Sequence, residues 1–152
     1  MPELAAARLI VFIGIAILPT LIGLTAPSDA WYATLVKPTR HPPDWLFGPV
    51  WTILYAVIGY AGWLAWSSSV GLQRYRAFAL YAAQLVLNTL WTPLLFGHHS
   101  PTLALFDIAA LWAIITLNIV AFYHIKPAAG LLLLPYLLWI SVALILTYSI
   151  TF

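Results

Sequence analysis

The stretch K-P-T-R-H-P-P-D-W-L-F-G-P-V-W-T-I-L-Y-A-V-I-G-Y-A-G-W-L-A-W, Lys37 to Trp66, changes character partway along. Its first part is polar and proline-broken and holds Lys37, Arg40, His41, Pro42, Pro43 and Asp44. From Trp45 onward it carries no charge and is rich in rings: Trp45, Trp51, Tyr55, Trp63 and Trp66. Crossing the hydrocarbon core of a bilayer takes about 20 consecutive apolar residues in a helix. The chain therefore passes from water into lipid near Trp45.

Working outward, the same kind of run recurs, giving five apolar segments at about 4–26, 45–67, 75–96, 101–123 and 127–150. Each is continuous and about twice the length of a barrel strand, so strand alternation does not compete. Backbone groups in lipid have to be satisfied internally, which five packed helices achieve. The fold expected is all-α and membrane-integral: one domain over 1–152, with residues 27–44 as a long loop, or lid, between the first two helices. The breaks are explicit, and Pro101 and Pro127 read as helix starts because position N1 needs no amide donor. The run after Arg8 resembles a secretory signal, but its length and its Pro19 and Gly23 favour a retained helix.

Composition agrees. Hydrophobic residues make up 64% and charged residues 7% of the chain, with mean hydropathy +0.99, against about a quarter charged in soluble domains. The few scattered cations make no nucleic-acid patch. With no cysteine there is no disulfide, thiolate nucleophile or Cys-based metal site. The basic residues report topology instead. Arg8, Arg74, Arg76 and Lys126 fall on one side, Lys37 and Arg40 on the other, which puts the N-terminus in the cytoplasm if the membrane is a bacterial inner membrane.

Depth and facing narrow the candidates. Trp51, Asn88, Trp91, Asp107 and Ala143 fall in the half of the bilayer nearer the long loop, with Trp139 closer to mid-depth. Tyr81, Gln84, Asn88, Trp91 and Leu95 form one stripe of the third helix, and Trp51, Tyr55, Gly59, Gly62 and Trp66 one stripe of the second. Asp107 and Asn118 share a face of the fourth. Polar groups in lipid point inward and mark sites, so these faces are expected to converge on a cavity under the loop. The structural alternatives stand beside this. Trp31, Trp45, Trp63, Trp66, Tyr75 and Tyr123 suit interfacial anchoring; Trp51, Trp91, Trp112 and Trp139 suit core packing as well as a ligand wall; Gln84 and Asn88 suit interhelical hydrogen bonding. His98-His99 resembles a metal pair but sits in a short turn without evident partners, so no metal is expected. No acid–base pair, serine elbow or phosphate loop is present. Ala79 and Ala83 form a small-xxx-small pair.

Four ordered motifs now bear on family: W-L-F-G-P-V-W-T-I-L-Y-A-V-I-G-Y (45–60), Y-A-A-Q-L-V-L-N-T-L-W (81–91), Asp107 with Leu111-Trp112, and P-Y-L-L-W (135–139). Together they closely resemble the translocator protein, or tryptophan-rich sensory protein (TspO/MBR), family, whose mammalian members were called peripheral-type benzodiazepine receptors. The resemblance implies a five-helix bundle, usually a homodimer. Its pocket below the first loop would bind protoporphyrin IX and other tetrapyrroles, and isoquinoline or benzodiazepine drugs. It implies ligand contacts at Tyr32, Trp51, Asn88, Trp91, Trp139 and Ala143, with Trp51 and Trp139 the pair implicated in light-dependent porphyrin degradation. No intrinsic cofactor is implied, and the resemblance to some bacterial members leaves an outer-membrane location open beside the inner-membrane one. Tyr148 has no following Lys or Arg, which argues against sterol.

Three functions follow as expectations: a tetrapyrrole sensor or regulator, a photo-oxidative porphyrin-degrading enzyme, and, with least support because inverted repeats are absent, a transporter. In the first, indoles stack on the macrocycle, Tyr55 joins the pocket wall, and Lys37, Arg40 and His41 form a rim for propionates behind the stiff Pro42-Pro43 entry.

Overall fold

The computed structural model describes residues 2–39 and 42–152. The helices are α1 (Pro2–Gly23), α2 (Ala30–Thr34), α3 (Asp44–Ser67), α4 (Gly71–Thr92), α5 (Pro101–Ile125), α6 (Pro127–Leu132) and α7 (Leu134–Thr151). Five stretches are long and apolar enough to cross a membrane: Glu3–Gly23, Asp44–Ser67, Gly71–Gly97, Pro101–Ile125 and Pro127–Thr151. Among the described residues there is no strand.

The ends differ from the expected ones for local reasons. The first span stops at Gly23, because Thr25 and Ala26 turn back with short-range bonds to the Ile22 and Gly23 carbonyls. α4 starts at Gly71, whose φ of +58° places it in the left-handed region where glycine is unstrained, so Arg74 is helical rather than in the loop. At its far end α4 widens into a π-turn over Pro93–Gly97, where His98 N–H reaches the Pro93 carbonyl at 2.9 Å. The last span is hitched at Leu133 between α6 and α7, two residues before Pro135, which has no N–H to continue the ladder. Ser100 caps α5 by accepting from Leu103 N–H, with Pro101 behind it.

The five spans close into a ring in which α1 packs on α3 and α4, α4 on α5, α5 on α6 and α7, and α6 on α3. Leu, Ile, Val and Phe side chains such as Ile10, Val11, Ile53, Phe106, Leu138 and Ile145 stay exposed and face lipid. Buried side chains line the ring's inside. Where α1 crosses α3 the backbones nearly touch, since a Cβ on Gly59 would lie 2.7 Å from Ile13 Cα; on the side facing α4, one on Gly62 would lie 2.7 Å from the Tyr81 hydroxyl. This is the small-residue approach that membrane helices use in place of a hydrophobic drive. Beside it, Phe12, Trp66, Phe78, Tyr81 and Phe122 pack ring against ring at centroid distances of 5.0–6.2 Å. Trp66 is therefore part of a packed cluster and not a free interfacial anchor.

Candidate functional site

Beneath the α1–α3 connection the bundle is hollow. An inner chamber of about 340 Å³ is lined by Thr20, Gly48, Trp51, Tyr55, Asn88, Ile108, Leu111 and Ile140, among others. An outer one of about 260 Å³ is lined by Ser28, Tyr32, Asp44, Phe96, Leu146 and Thr147, among others. Gly23, Phe47, Trp51, Trp91, Thr92 and Ala143 line both, so they are two parts of one site. The inner chamber alone falls within the roughly 300–1,000 Å³ usual for small-molecule sites.

The floor of the inner chamber is a hydrogen-bonded chain across three helices. Tyr55 Oη of α3 donates to Asn88 Oδ1 of α4 at 2.9 Å, and Asn88 Nδ2 donates to Tyr136 Oη of α7 at 2.8 Å. The Trp51 indole stacks on the Tyr55 ring (5.1 Å, 23°) and meets Tyr136 edge-on at 6.3 Å. Asn88 is thus both an interhelical link and part of the chamber wall. Trp91 borders both chambers, and its buried Nε1 finds no hydrogen-bond partner among the described residues.

The lid is fastened. Asp29 caps α2 by accepting from Tyr32 N–H at 3.3 Å, and His99 Nε2 donates to its other oxygen at 2.8 Å. The Trp31 ring stacks on the His99 imidazole at 4.4 Å, and Tyr32 meets Phe96 edge-on at 5.0 Å. Desolvation pushes the Asp29 carboxyl up, but the His99 hydrogen bond, the Tyr32 and Trp31 amides and the His99 charge outweigh it and hold it below the usual carboxylate range. Burial, with the nearby Asp44 carboxylate, raises the Tyr32 phenol. His99 holds φ at +50°, an uncommon backbone for a non-glycine residue, at the tip of the α4–α5 turn.

The site residues named from sequence fall unevenly around this geometry. Trp51, Tyr55, Asn88, Trp91 and Ala143 line the inner chamber, and Tyr32 lines the outer one. Trp139 lies outside both linings and packs edge-on against Phe47 at 5.3 Å, one ring removed from the chamber. The Lys37 ammonium sits 4.1 Å over the Tyr32 ring. Pro43 precedes α3 as its cap residue, with Pro42 before it. Arg40 and His41 lie outside the described residues.

Some expectations need correction. His99 has partners, Asp29 and Trp31, so the turn holding His98-His99 is the lid's anchorage; among the described residues no cluster of three or more His, Cys, Asp or Glu could hold a metal. Trp31 belongs to that anchorage rather than being a plain membrane anchor. The polar stripes converge on the cavity only in part: Gly59, Gly62, Tyr81 and Gln84 lie in the packed half, and Asn118 Nδ2 donates to the Ala77 carbonyl at 3.1 Å. Trp112 donates Nε1–H to Ser141 Oγ at 2.9 Å and lines neither chamber. Phe47 was missed, although it precedes Trp51 by four residues and so shares its helix face.

An all-α, five-span bundle whose hollow half is walled by indoles and roofed by its first loop defines a class: an integral membrane protein with a ligand-sized internal site. A family-wide sequence profile described as the TspO/MBR family matches residues 7–152. The chain is 44% identical over 131 residues to "Tryptophan-rich protein TspO" of Chlorobaculum tepidum, covering 82% of this chain and 79% of that one. It is 46% identical over 127 residues to the protein of the same name in Archaeoglobus fulgidus (83% and 82% covered). It is 38% identical over 122 residues to human "Translocator protein" (79% and 72% covered). The chain belongs to the TspO/MBR family, and with it to the membrane sensory and translocator proteins.

Proposed function

We propose that this protein is a membrane tetrapyrrole sensor that takes protoporphyrin IX into the two-part cavity under the lid, and that the same cavity accepts isoquinoline- or benzodiazepine-type molecules. The observation that carries this reading is the continuous apolar site whose two parts share Trp51 and Trp91. A flat macrocycle gains from burial there and from offset stacking on indoles, and its propionates are best left at the wet rim near Lys37. Occupancy would be read out through the lid, which shares Tyr32 with the outer chamber.

The test is quenching of tryptophan fluorescence by protoporphyrin IX. Trp51→Phe should weaken binding about 2- to 10-fold, from roughly 0.5–1.5 kcal/mol per aromatic pair, and Trp139→Phe less, since it touches the cavity only through Phe47. Unchanged affinity in Trp51→Phe removes the proposed site.

A second reading, oxygen-dependent photochemical breakdown of the bound porphyrin, draws on the contiguous Trp51, Tyr55, Asn88 and Tyr136 chain, along which an electron could be relayed to the excited macrocycle. Illumination with and without oxygen decides it: loss no faster than for free porphyrin in detergent ends this reading. Of the wider context, we assign a homodimer through α4, where Ala79 is exposed and Ala83 half-buried; Ala79→Cys in this cysteine-free chain should cross-link. The end bearing Arg8, Arg74, Arg76 and Lys126 is assigned to the cytoplasmic side of a bacterial inner membrane.

A further inference from the structure

At the end of the bundle away from the lid, two arginines two residues apart have different surroundings. Arg74 is occupied: its guanidinium donates to the Trp66 carbonyl at 3.0 Å and to that of Ser69, closing the end of α3, and lies 4.5 Å over the Trp66 ring. Arg76 is exposed and makes no ion pair among the described residues. It borders a bilayer-facing groove between α4 and α5, of about 290 Å³, together with Gln73, Leu80, Ala121 and His124. His124 Nδ1 donates to the Val120 carbonyl at 2.8 Å, which leaves Nε2 as its outward nitrogen. Leu72, Leu117, Val120 and Tyr123 around it are all at least 48% exposed and face lipid.

The groove is graded in polarity. Gln73 and His124 lie in the outermost turns of their helices and Arg76 in the second turn of α4, and Leu80 and Ala121 lie about a turn deeper. Arg76 stands five residues into α4, about 8 Å along its axis at ~1.5 Å per residue, where the headgroup layer gives way to acyl chains and an unpaired guanidinium is expensive. Of the four acidic residues in the chain, Asp29 and Asp44 belong to the lid end and Asp107 lies six residues into α5 from that same end. Only Glu3 is at this end, and it forms no ion pair among the described residues. The guanidinium thus lacks a protein counter-ion and has an apolar channel running from it into the membrane.

We propose that this groove is a binding site for an anionic glycerophospholipid, with the phosphate held by the Arg76 guanidinium and an acyl chain lying along Leu80 and Ala121. A guanidinium meets a phosphate through two parallel hydrogen bonds, a geometry an ammonium cannot supply, and basic pockets between membrane helices recognise acidic headgroups. The site is separate from the cavity under the lid and does not depend on what binds there.

The full-length protein reconstituted in mixed phosphatidylcholine and phosphatidylglycerol vesicles, re-extracted in mild detergent and assayed for retained lipid, tests this. Retained phosphatidylglycerol should fall on the order of tenfold in Arg76→Gln, the loss expected for one charge-assisted contact. It should fall also in Ala121→Leu, which fills the groove without changing charge, and should hold in Lys126→Gln; circular dichroism checks that each variant is folded. Undiminished retention in folded Arg76→Gln overturns the proposal, as does an equal loss in Lys126→Gln, which would mean diffuse attraction. Displacement by millimolar inorganic phosphate alone would also overturn it, because a lipid held by its chain as well resists such competition.

Discussion

The half of the bundle under the lid and the half beyond Tyr55 draw on the same materials, aromatic rings and small residues, and only one of them is hollow. Beyond Tyr55, Gly59 and Gly62 face a neighbouring backbone or ring, so lacking a side chain brings helices together, and five rings fill what remains. Under the lid, Thr20, Gly48 and Ala143 border a space, and a Cβ on Gly48 would meet nothing within 4 Å, so being small leaves it open. Trp51, Tyr55 and Tyr136 pack on each other at its edge instead of filling it. A small residue closes a membrane bundle where backbones can meet and opens a chamber where they are held apart.

Breaking the solid half should cost the most. Phe122 is fully buried, and Phe122→Ala should lower unfolding stability by about 3–5 kcal/mol, seen as a large drop in Tm in detergent; a small drop would show that the ring cluster is not what holds this half. Next comes the floor between the halves. Asn88→Leu strands the buried Tyr136 hydroxyl and takes one of two partners from that of Tyr55, which keeps Thr20, and should cost about 1–3 kcal/mol. Thermal unfolding of Asn88→Leu beside Tyr55→Phe separates the two losses. A smaller stability change, under about 1.5 kcal/mol, is expected for Ala143→Phe, because a ring placed in a void overpacks little; that variant should nonetheless abolish saturable porphyrin quenching. If Ala143→Phe instead unfolds the protein, the chamber is not the space described.

The finest comparison concerns the roof. Asp29 has a depressed pKa in the folded state, so the fastening to His99 is fully present above the ordinary carboxylate value and is lost as pH falls through the lower folded value. Acid proteolysis of residues 27–44, and the fluorescence of Trp31, should report opening there with the bundle intact. Asp29→Asn should remove the carboxylate's pH dependence.

How much of this was legible in the sequence follows from the range of each interaction. The five spans could be read because the bilayer sets their length, and Trp51, Tyr55, Asn88 and Trp91 could be placed because depth and helical face are both periodic. The Asp29–His99 pair, 70 residues apart, leaves no periodic trace. Nor does the choice between a packing role and a wall role for an indole. Trp66 and Trp51 lie on one stripe of α3 and differ only in what stands opposite, Phe78 and Arg74 for one and an open chamber for the other. Trp139 was expected at the wall, and the ring that stands there is Phe47, on another helix.

The π-turn at Pro93–Gly97 has a consequence for how this chain tolerates changes in length. A π-turn accommodates one residue more than an α-turn would, and everything after it is set by that extra residue. Deleting one residue between 93 and 97 would restore α-helical register and swing the following turn by about 100° at 3.6 residues per turn. His99 would leave Asp29, and Phe96 would leave Tyr32. The spans on either side would keep their apolar lengths and still insert. A one-residue gap here would therefore yield a protein that occupies the membrane normally and has lost the attachment of its roof, a lesion invisible to hydropathy and confined to a single turn.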